Sequence, residues 1–412
     1  MATIIGFFLL SFSVNASVLD FQQTIELITQ QDPQFLAQSE KLQAQETQSL
    51  SSSLSLLPTI SASYTREKSY NTEATGYGSS LLFTANLFKG GKDYFNLRSQ
   101  YRLLDSEEKT LSDKQLVAQQ KAIELTVSYL LSQKKYQIVY DLLQVQEKSL
   151  GVAKKRYDRG IIPLQELEKA QVDVFNSEAR LTNAKIEKET FQKQVQSYLG
   201  QNQLKTEWPF TKQLLSGKKT PIKNKNVLRT DIASLEAYVE SLEKSYQSQY
   251  GSFVPQVDLS YRMTNAASES GYFNSRGVED KVLALNFTWT LWNGYKDRAQ
   301  LAYSRYLKEE AKYRLTDLKR NFGASIETKK LNYQTSLDSL SRRLKTLEIS
   351  RKIYRQSVRR FQEGKLSVND LELDQNRYLE TEILAQEGEA QVHLALSQLC
   401  YEYGTSVFTC LQ

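Results

Sequence analysis

The sequence predicts a mainly α-helical protein with a small β part, written as two tandem copies of one unit. Each unit is a strand hairpin followed by a long antiparallel helical hairpin. Three observations lead there. Landmark motifs recur in the same order, the hydrophobic period changes within each copy, and the 412 residues hold only 6 Pro and 17 Gly. So few breakers permit long uninterrupted helices. Charged residues make up 24% of the chain and apolar ones 40%, which suits coiled coil better than a thick globular core.

The repeat rests on three pairs of landmarks. Leu57-Pro58-Thr59-Ile60 returns as Val254-Pro255-Gln256-Val257, Leu87-Phe88-Lys89-Gly90-Gly91-Lys92 as Leu291-Trp292-Asn293-Gly294-Tyr295-Lys296, and Arg156-Tyr157-Asp158-Arg159-Gly160 as Arg360-Phe361-Gln362-Glu363-Gly364. The offsets are 197, 204 and 204 residues. A near-constant offset indicates duplication, and two units are too few for a solenoid.

At the N-terminus, the apolar run from Ile4 to Val14 ends in Asn15-Ala16-Ser17. A secretory signal peptide over 1–16 fits this pattern, and a buried first helix is the competing reading. No Cys follows the run to carry a lipid, and no later stretch is apolar for the ~18 residues that a transmembrane helix needs. Each copy then opens with a helix. The first spans Phe21 to Ser55 and contains Asp32-Pro33, a cap followed by a helix start. The second spans Val227 to Tyr250.

Strand patterns follow. Ile60, Ala62 and Tyr64, then Leu81, Phe83, Ala85 and Leu87, alternate with polar or small residues in the first copy. Val257, Leu259, Tyr261 and Met263, then Leu283, Leu285, Phe287, Trp289 and Leu291, do so in the second. A polar Gly/Ser/Asn stretch splits each pair, as between antiparallel strands. One apolar and one small polar face over about ten residues suits a transmembrane barrel. A soluble hairpin with one buried face alternates identically.

The period then lengthens. Steps of four and three from Leu97 to Ala153 meet an apolar residue at 13 of 17 positions, against roughly 7 expected at this composition. That is a sustained heptad seam, and a helix of roughly 60 residues would be roughly 90 Å long. The seam resumes after Gly160 from Ala170 to Tyr198. In the second copy it runs from Leu337 to Phe361 and returns from Leu371 to Cys400. Upstream of Leu337 no single register holds, so a stutter is expected. The resulting division is 1–16 signal peptide, 17–200 first repeat, 201–226 connector and 227–412 second repeat with the C-terminal tail. The connector carries Trp208-Pro209, Ser216-Gly217 and Lys218-Lys219.

Several function classes lose their footing. The net charge of +6 is spread along the chain, with no basic block for nucleic acid. Gly90-Gly91-Lys92-Asp93 ends like a phosphate loop but lacks the earlier Gly and the Ser or Thr. One His, His393, no nucleophile elbow and no paired carboxylates in a pocket leave no catalytic set, no metal set and no cofactor motif. Cys400 and Cys410 are the only cysteines. In an oxidising compartment they could close a small loop, and two free thiols are the equal alternative.

Four strands cannot close a membrane barrel. Free edges would leave backbone groups unpaired in lipid at several kcal/mol each, so the barrel must be shared between chains. The helical seams likewise need neighbours. Phe88, Trp289 and Trp292 stand at or near strand ends, where aromatic residues form interface girdles, although ordinary strand packing would place them similarly.

Signal, Asp-Pro helix, strand hairpin, long helix, Arg-aromatic-x-x-Gly turn, return helix and connector, all repeated, resemble the TolC outer-membrane factor family across essentially the whole mature chain. The resemblance implies a homotrimer with a shared 12-stranded β-barrel in the outer membrane and a periplasmic α-barrel. Such ducts take cargo from an inner-membrane transporter through a periplasmic adaptor, in tripartite efflux or type I secretion. By that resemblance Arg156, Tyr157, Gly160, Ile161, Ile162 and Pro163 form one adaptor-docking tip. Arg360, Phe361, Gly364, Lys365, Leu366 and Ser367 form the other. Exposure of Ile161, Ile162 and Leu366 would make a contact patch. The competing reading is a turn that keeps only its own geometry.

Among the acids after the tips, Glu166, Glu168, Asp370, Glu372 and Asp374, the resemblance selects Glu166 and Asp370 as aperture residues. Each would become a ring of three acids in a trimer. A further acid expected at 373 is Leu373 here, with Asp374 one step beyond. Solvated acids favoured by the helix dipole are the alternative. A soluble periplasmic adaptor or structural coiled coil is the competing reading of the whole chain. Adaptors carry one helical hairpin flanked by compact β-domains, whereas this chain repeats both parts.

Overall fold

The computed structural model describes residues 18–68, 75–199, 203–204, 214–215, 229–270, 273–274 and 278–410. The expected signal peptide and most of the connector lie outside them. The chain runs β1 (Val18–Leu19), α1 (Phe21–Gln30), α2 (Pro33–Leu54), β2 (Thr59–Lys68), β3 (Thr75–Phe88), α3 (Lys92–Asp158) and α4 (Leu164–Leu199). It continues through β4 (Gln203–Leu204), α5 (Thr230–Gln249), a short 3-10 turn (Tyr250–Phe253), β5 (Gln256–Ser270), β6 (Phe273–Asn274) and β7 (Val278–Thr288). The last elements are α6 (Lys296–Gln362), α7 (Val368–Glu402) and α8 (Val407–Cys410). The helices α3 and α6 have 67 residues each, so the duplication is exact in helix length. Two compact units divide these elements.

One unit comprises 37–112 and 230–321 and holds the sheet. Its long strands lie in the order β2-β3-β5-β7, every pair antiparallel, with two-residue β6 paired to the far end of β5. Register settles the faces, because partners across an antiparallel ladder project on the same side. Ile60 pairs with Phe83, Phe83 with Tyr261 and Tyr261 with Leu283. Ala62, Leu81 and Met263 begin a second row that Lys281 ends on β7, and Ala85, Leu259 and Leu285 form a third. The other face is mostly small or polar, with Ser61, Ser63, Ser80, Thr84, Ser260, Arg262, Ala284 and Asn286, and carries Leu82 and Val282 on either side of Arg262. Leu283, Leu285 and Phe287 are exposed, Leu283 at 68%, so among the described residues no layer covers the apolar face at β7.

The alternation continues further than the strand. Thr288 is the last residue of β7, and Trp289 and Leu291 follow it unpaired. The partner of Thr288 is Gln256, preceded by Pro255, which has no N–H to extend the ladder. Pro58 stands likewise just before β2.

In the same unit, the expected seam of α3 is only partly covered within the chain. Leu97, Leu104 and Leu111 are half-buried and Tyr101 and Glu108 exposed, while Ser99 and Ser106 are buried. The partner is α5, which buries Ser234, Ser241 and Ser248 at seven-residue spacing. Ser99 Oγ donates to the Ser241 carbonyl at 2.8 Å, and Ser106 Oγ to the Ser234 carbonyl at 2.9 Å. Two facing stripes of small hydroxyls pack backbone close to backbone, which bulky heptad residues would forbid. The sequence signal was a serine heptad, which a search for apolar residues passes over.

The other unit comprises 1–36, 113–229 and 322–412. Here the seam of α3 does turn inward, with Ala118, Ala122, Val139, Leu143 and Ala153 buried. Ile25, Ile28, Leu130, Leu340, Leu396 and Leu399 share its main core. Asp20 and Gln23 form a capping box that starts α1. Asp32 caps α2 by accepting from the Gln34 and Phe35 amides at 2.9 and 3.2 Å, and Lys121 binds its other oxygen at 2.8 Å. Burial raises the Asp32 pKa, but Lys121 and the two amides outweigh it and leave the carboxyl below its ordinary value. At the C-terminal end Cys400 and Cys410 are disulfide-bonded, Cα to Cα 5.8 Å, and Arg229 pairs with Glu402 at 2.9 Å.

His393 lies in this core beside Phe21, with ring centroids 6.1 Å apart. Burial pushes its pKa down to about 4. The folded state keeps it neutral while the unfolded chain takes up a proton below pH ~6.5, so stability falls as pH drops from ~6.5 to ~4. The loss from this group is roughly 3 kcal/mol. His393→Leu should remove that share of the acid sensitivity, read from denaturation curves at pH 7 and pH 4.5. An unchanged difference between the two pH values would contradict this account.

Candidate functional site

The two helical turns are built alike. At the end of α3, Gly160 has φ 71° and its amide donates to the Tyr157 carbonyl at 2.8 Å. The next amide, of Ile161, donates to the Arg156 carbonyl at 2.9 Å. At the end of α6, Gly364 has φ 78°, with Gly364 bonded to Phe361 at 3.0 Å and Lys365 to Arg360 at 2.8 Å. Both are Schellman motifs, in which a left-handed residue lets two amides close the last helical carbonyls. The Arg-aromatic-x-x-Gly pattern therefore has a mechanical meaning: Gly is the left-handed residue and Arg supplies the carbonyl that the residue after Gly must reach.

The return helices start differently. Ser367 caps α7 by accepting from the Asp370 amide at 3.1 Å, and its hydroxyl donates to the Asp370 carboxylate at 2.8 Å. The first copy has Pro163 in that place, which offers no capping oxygen, and Glu166 lies in the first turn of α4. Asp370 is thus engaged by its own helix cap. Asp374 is engaged as well, accepting from Ser357 of α6 at 2.5 Å and pairing with Arg377 at 3.6 Å.

The two tips share a small core of Ala153, Leu167, Ala170, Phe361, Val368 and Leu371. Ile162 and Leu366 pack against it, so the exposed apolar patch is narrower than expected. Ile161 remains 65% exposed, and Tyr157 and Leu164 are exposed beside it. Each Schellman turn places one residue outward and the next back onto the core, which separates Ile161 from Ile162.

The equivalent aromatic residues have unequal fates. Phe361 is 2% exposed, whereas Tyr157 is on the surface. Arg156 explains the difference. Its guanidinium lies 4.5 Å from the centroid of the Phe361 ring, and it donates a hydrogen bond to the Phe361 carbonyl. A tip residue of the first hairpin thereby caps the last turn of the second. Arg360 is exposed and makes no such bridge among the described residues. The sequence motif alone could not reveal this, because both copies carry Arg there.

At the strand ends, Phe88, Trp289 and Trp292 are all exposed. Trp289 Nε1 donates to the Phe253 carbonyl at 3.2 Å, and Trp292 packs edge-on against Tyr295 at 6.5 Å. The three belong to the ends of β3 and β7 that lead into α3 and α6. The near-phosphate loop is filled by protein, because a Cβ on Gly90 would come within 2.9 Å of the Gly251 backbone. Among the described residues no three His, Cys, Asp or Glu side chains gather as a metal site, and no helix is long and apolar enough to cross a membrane.

A family model described as outer membrane efflux protein matches residues 24–201 and again 224–401. No curated protein sequence matches the chain. Solved structures do match in fold. The CmeC outer membrane channel of Campylobacter jejuni has a TM-score of 0.80 at 14% identity, over 96% of this chain and 90% of that one. CusC, described as forming a transmembrane channel, has 0.77 at 14% identity, over 96% of each chain. The open-state MtrE outer membrane channel of Neisseria gonorrhoeae has 0.75 at 12% identity, over 94% of this chain and 89% of that one.

Proposed function

The chain belongs to the outer membrane efflux protein family, through both of its repeats, and is an outer-membrane efflux channel; from that premise we propose that it works as a homotrimer whose hairpin tips dock a periplasmic adaptor. The observation that carries this reading is the open four-stranded sheet, apolar on one face and small or polar on the other. Three such sheets joined edge to edge make a 12-stranded barrel with lipid outside and water within. The soluble-adaptor reading gains nothing, since family similarity extends over both copies.

Tyr157, Ile161 and Leu164 are the apolar contact surface, and Pro163, Lys365 and Ser367 vary the chemistry around it. Ile162 and Leu366 hold that surface in place from the core side. Glu166 is the acid left open to an aperture, whereas Asp370 and Asp374 chiefly fasten α7. Phe88, Trp289 and Trp292 form the girdle at the periplasmic membrane surface. The duct itself is passive. Cargo is driven by an inner-membrane transporter, in drug efflux, metal efflux or type I secretion.

One experiment addresses both assembly and docking. A cysteine at Ile161, carried into cells with a photoactivatable thiol reagent, should cross-link an adaptor, while one at Ile162 should not. The labelled protein should leave the outer membrane in detergent as a trimer. Release by salt as a monomer would overturn the channel assembly, and equal cross-linking at both positions would overturn the docking surface.

A further inference from the structure

The geometry points to a site for a divalent cation of the calcium class, held between α3, α4 and α7 by Asp173, Glu372 and the side-chain oxygen of Gln146. These residues line a cavity of about 20 Å³ inside one unit, a short distance along the helices from the tips. Ser149 and Gln375 complete the lining used here.

Two acids alone would not make a site. The second observation is the amide of Gln146, 7% exposed, whose Oε1 has no hydrogen-bond partner. A buried carbonyl oxygen without a donor costs about 1–3 kcal/mol, and a cation or a water would relieve it. Asp173 and Glu372 meet within hydrogen-bond reach at this cavity, two carboxyls brought together where a cation would separate their charges, with Arg180 and Lys169 the nearby cations. The α3 wall adds no charge, since it presents Gln146 and Ser149. Besides Asp173, Glu372 accepts a long bond from Asn376, at 3.4 Å.

The chemistry selects the ion. Carboxylate, amide and hydroxyl oxygens are hard donors, and no third His, Cys, Asp or Glu joins them among the described residues. A cavity of about 20 Å³ accommodates roughly one water-sized particle. Magnesium keeps several waters and would not fit, whereas calcium sheds them for flexible oxygen ligands at ~2.3–2.6 Å. Gln375 Nε2, buried at 3% exposure and also without a partner, lines the same cavity. Because Asp173 lies on α4 of the first hairpin and Glu372 on α7 of the second, bound calcium would tie the two hairpins together. This site is independent of the docking reading.

The test uses the full chain in detergent, stripped with EDTA and given calcium alone. Equilibrium dialysis with radioactive calcium should find one tightly held ion per chain, and millimolar calcium should raise the unfolding temperature. Asp173→Asn with Glu372→Gln preserves shape and should weaken binding at least tenfold, and Gln146→Leu should weaken it less. Glu187→Gln, at an exposed position of α4, should change neither readout. Absence of bound calcium in the parent protein would overturn the site, as would binding that survives the double substitution. Insensitivity of the unfolding temperature to calcium, in the parent and the double variant alike, would overturn it too.

Discussion

Leu283→Arg abolishes assembly of the outer-membrane trimer, whereas Ala284→Arg, the next residue of the same strand, leaves it intact. Leu283 lies mid-strand in β7 and pairs with Tyr261 on the apolar face. An Arg near the bilayer midplane on a lipid face costs about 2–4 kcal/mol, and a trimer repeats the cost three times in one barrel. Ala284 pairs with Ser260 on the opposite face, which already carries Arg262 opposite Val282. An Arg there meets water and small side chains. Heat-modifiable trimers on gels and the outer-membrane fraction report the outcome. A reversed pattern would mean that the two faces of the sheet have been exchanged.

The second large effect separates residues that the sequence makes equivalent. Arg156→Ala should loosen the last turn of α6, and Arg360→Ala should not. The lost charge-assisted hydrogen bond is worth about 1.5–3 kcal/mol and the ring contact about 0.5–1 kcal/mol more. A local loss of about 2–4 kcal/mol corresponds to a roughly thirty- to thousandfold fall in amide-exchange protection. The amides of Phe361 to Lys365 should show it by mass spectrometry. Arg156→Lys should recover only part, since an ammonium lacks the planar face that lies over Phe361. Equal effects at 156 and 360 would contradict the bridge from Arg156 to the end of α6.

Much of the fold was legible because period and punctuation agree with tertiary structure here. Asp32-Pro33, the strand alternation and the Arg-aromatic-x-x-Gly turns each specify local geometry by local chemistry. What escaped depended on partners distant in sequence. Within the chain, α5 offers serines, so the α3 face carrying Ser99 and Ser106 packs on it while Tyr101 stays exposed. Trp289 and Leu291 keep the strand alternation, yet Pro255 ends their ladder. Ile161 and Ile162 are both apolar, and only the turn decides which one faces out. Asp173 and Glu372 are 199 positions apart, so nothing in their sequence neighbourhoods announces that they face one cavity.

The two free edges of the sheet, β2 and β7, also dictate an order of events in biogenesis. A solitary chain could not enter lipid with those edges bare. Association must therefore precede or accompany insertion, and the three-body encounter becomes the step that protein concentration controls. At low synthesis rates single chains would wait in the aqueous compartment, exposing both the apolar face and unpaired backbone to proteases and to one another. Abundance of the finished channel should then rise more steeply than the supply of its subunits.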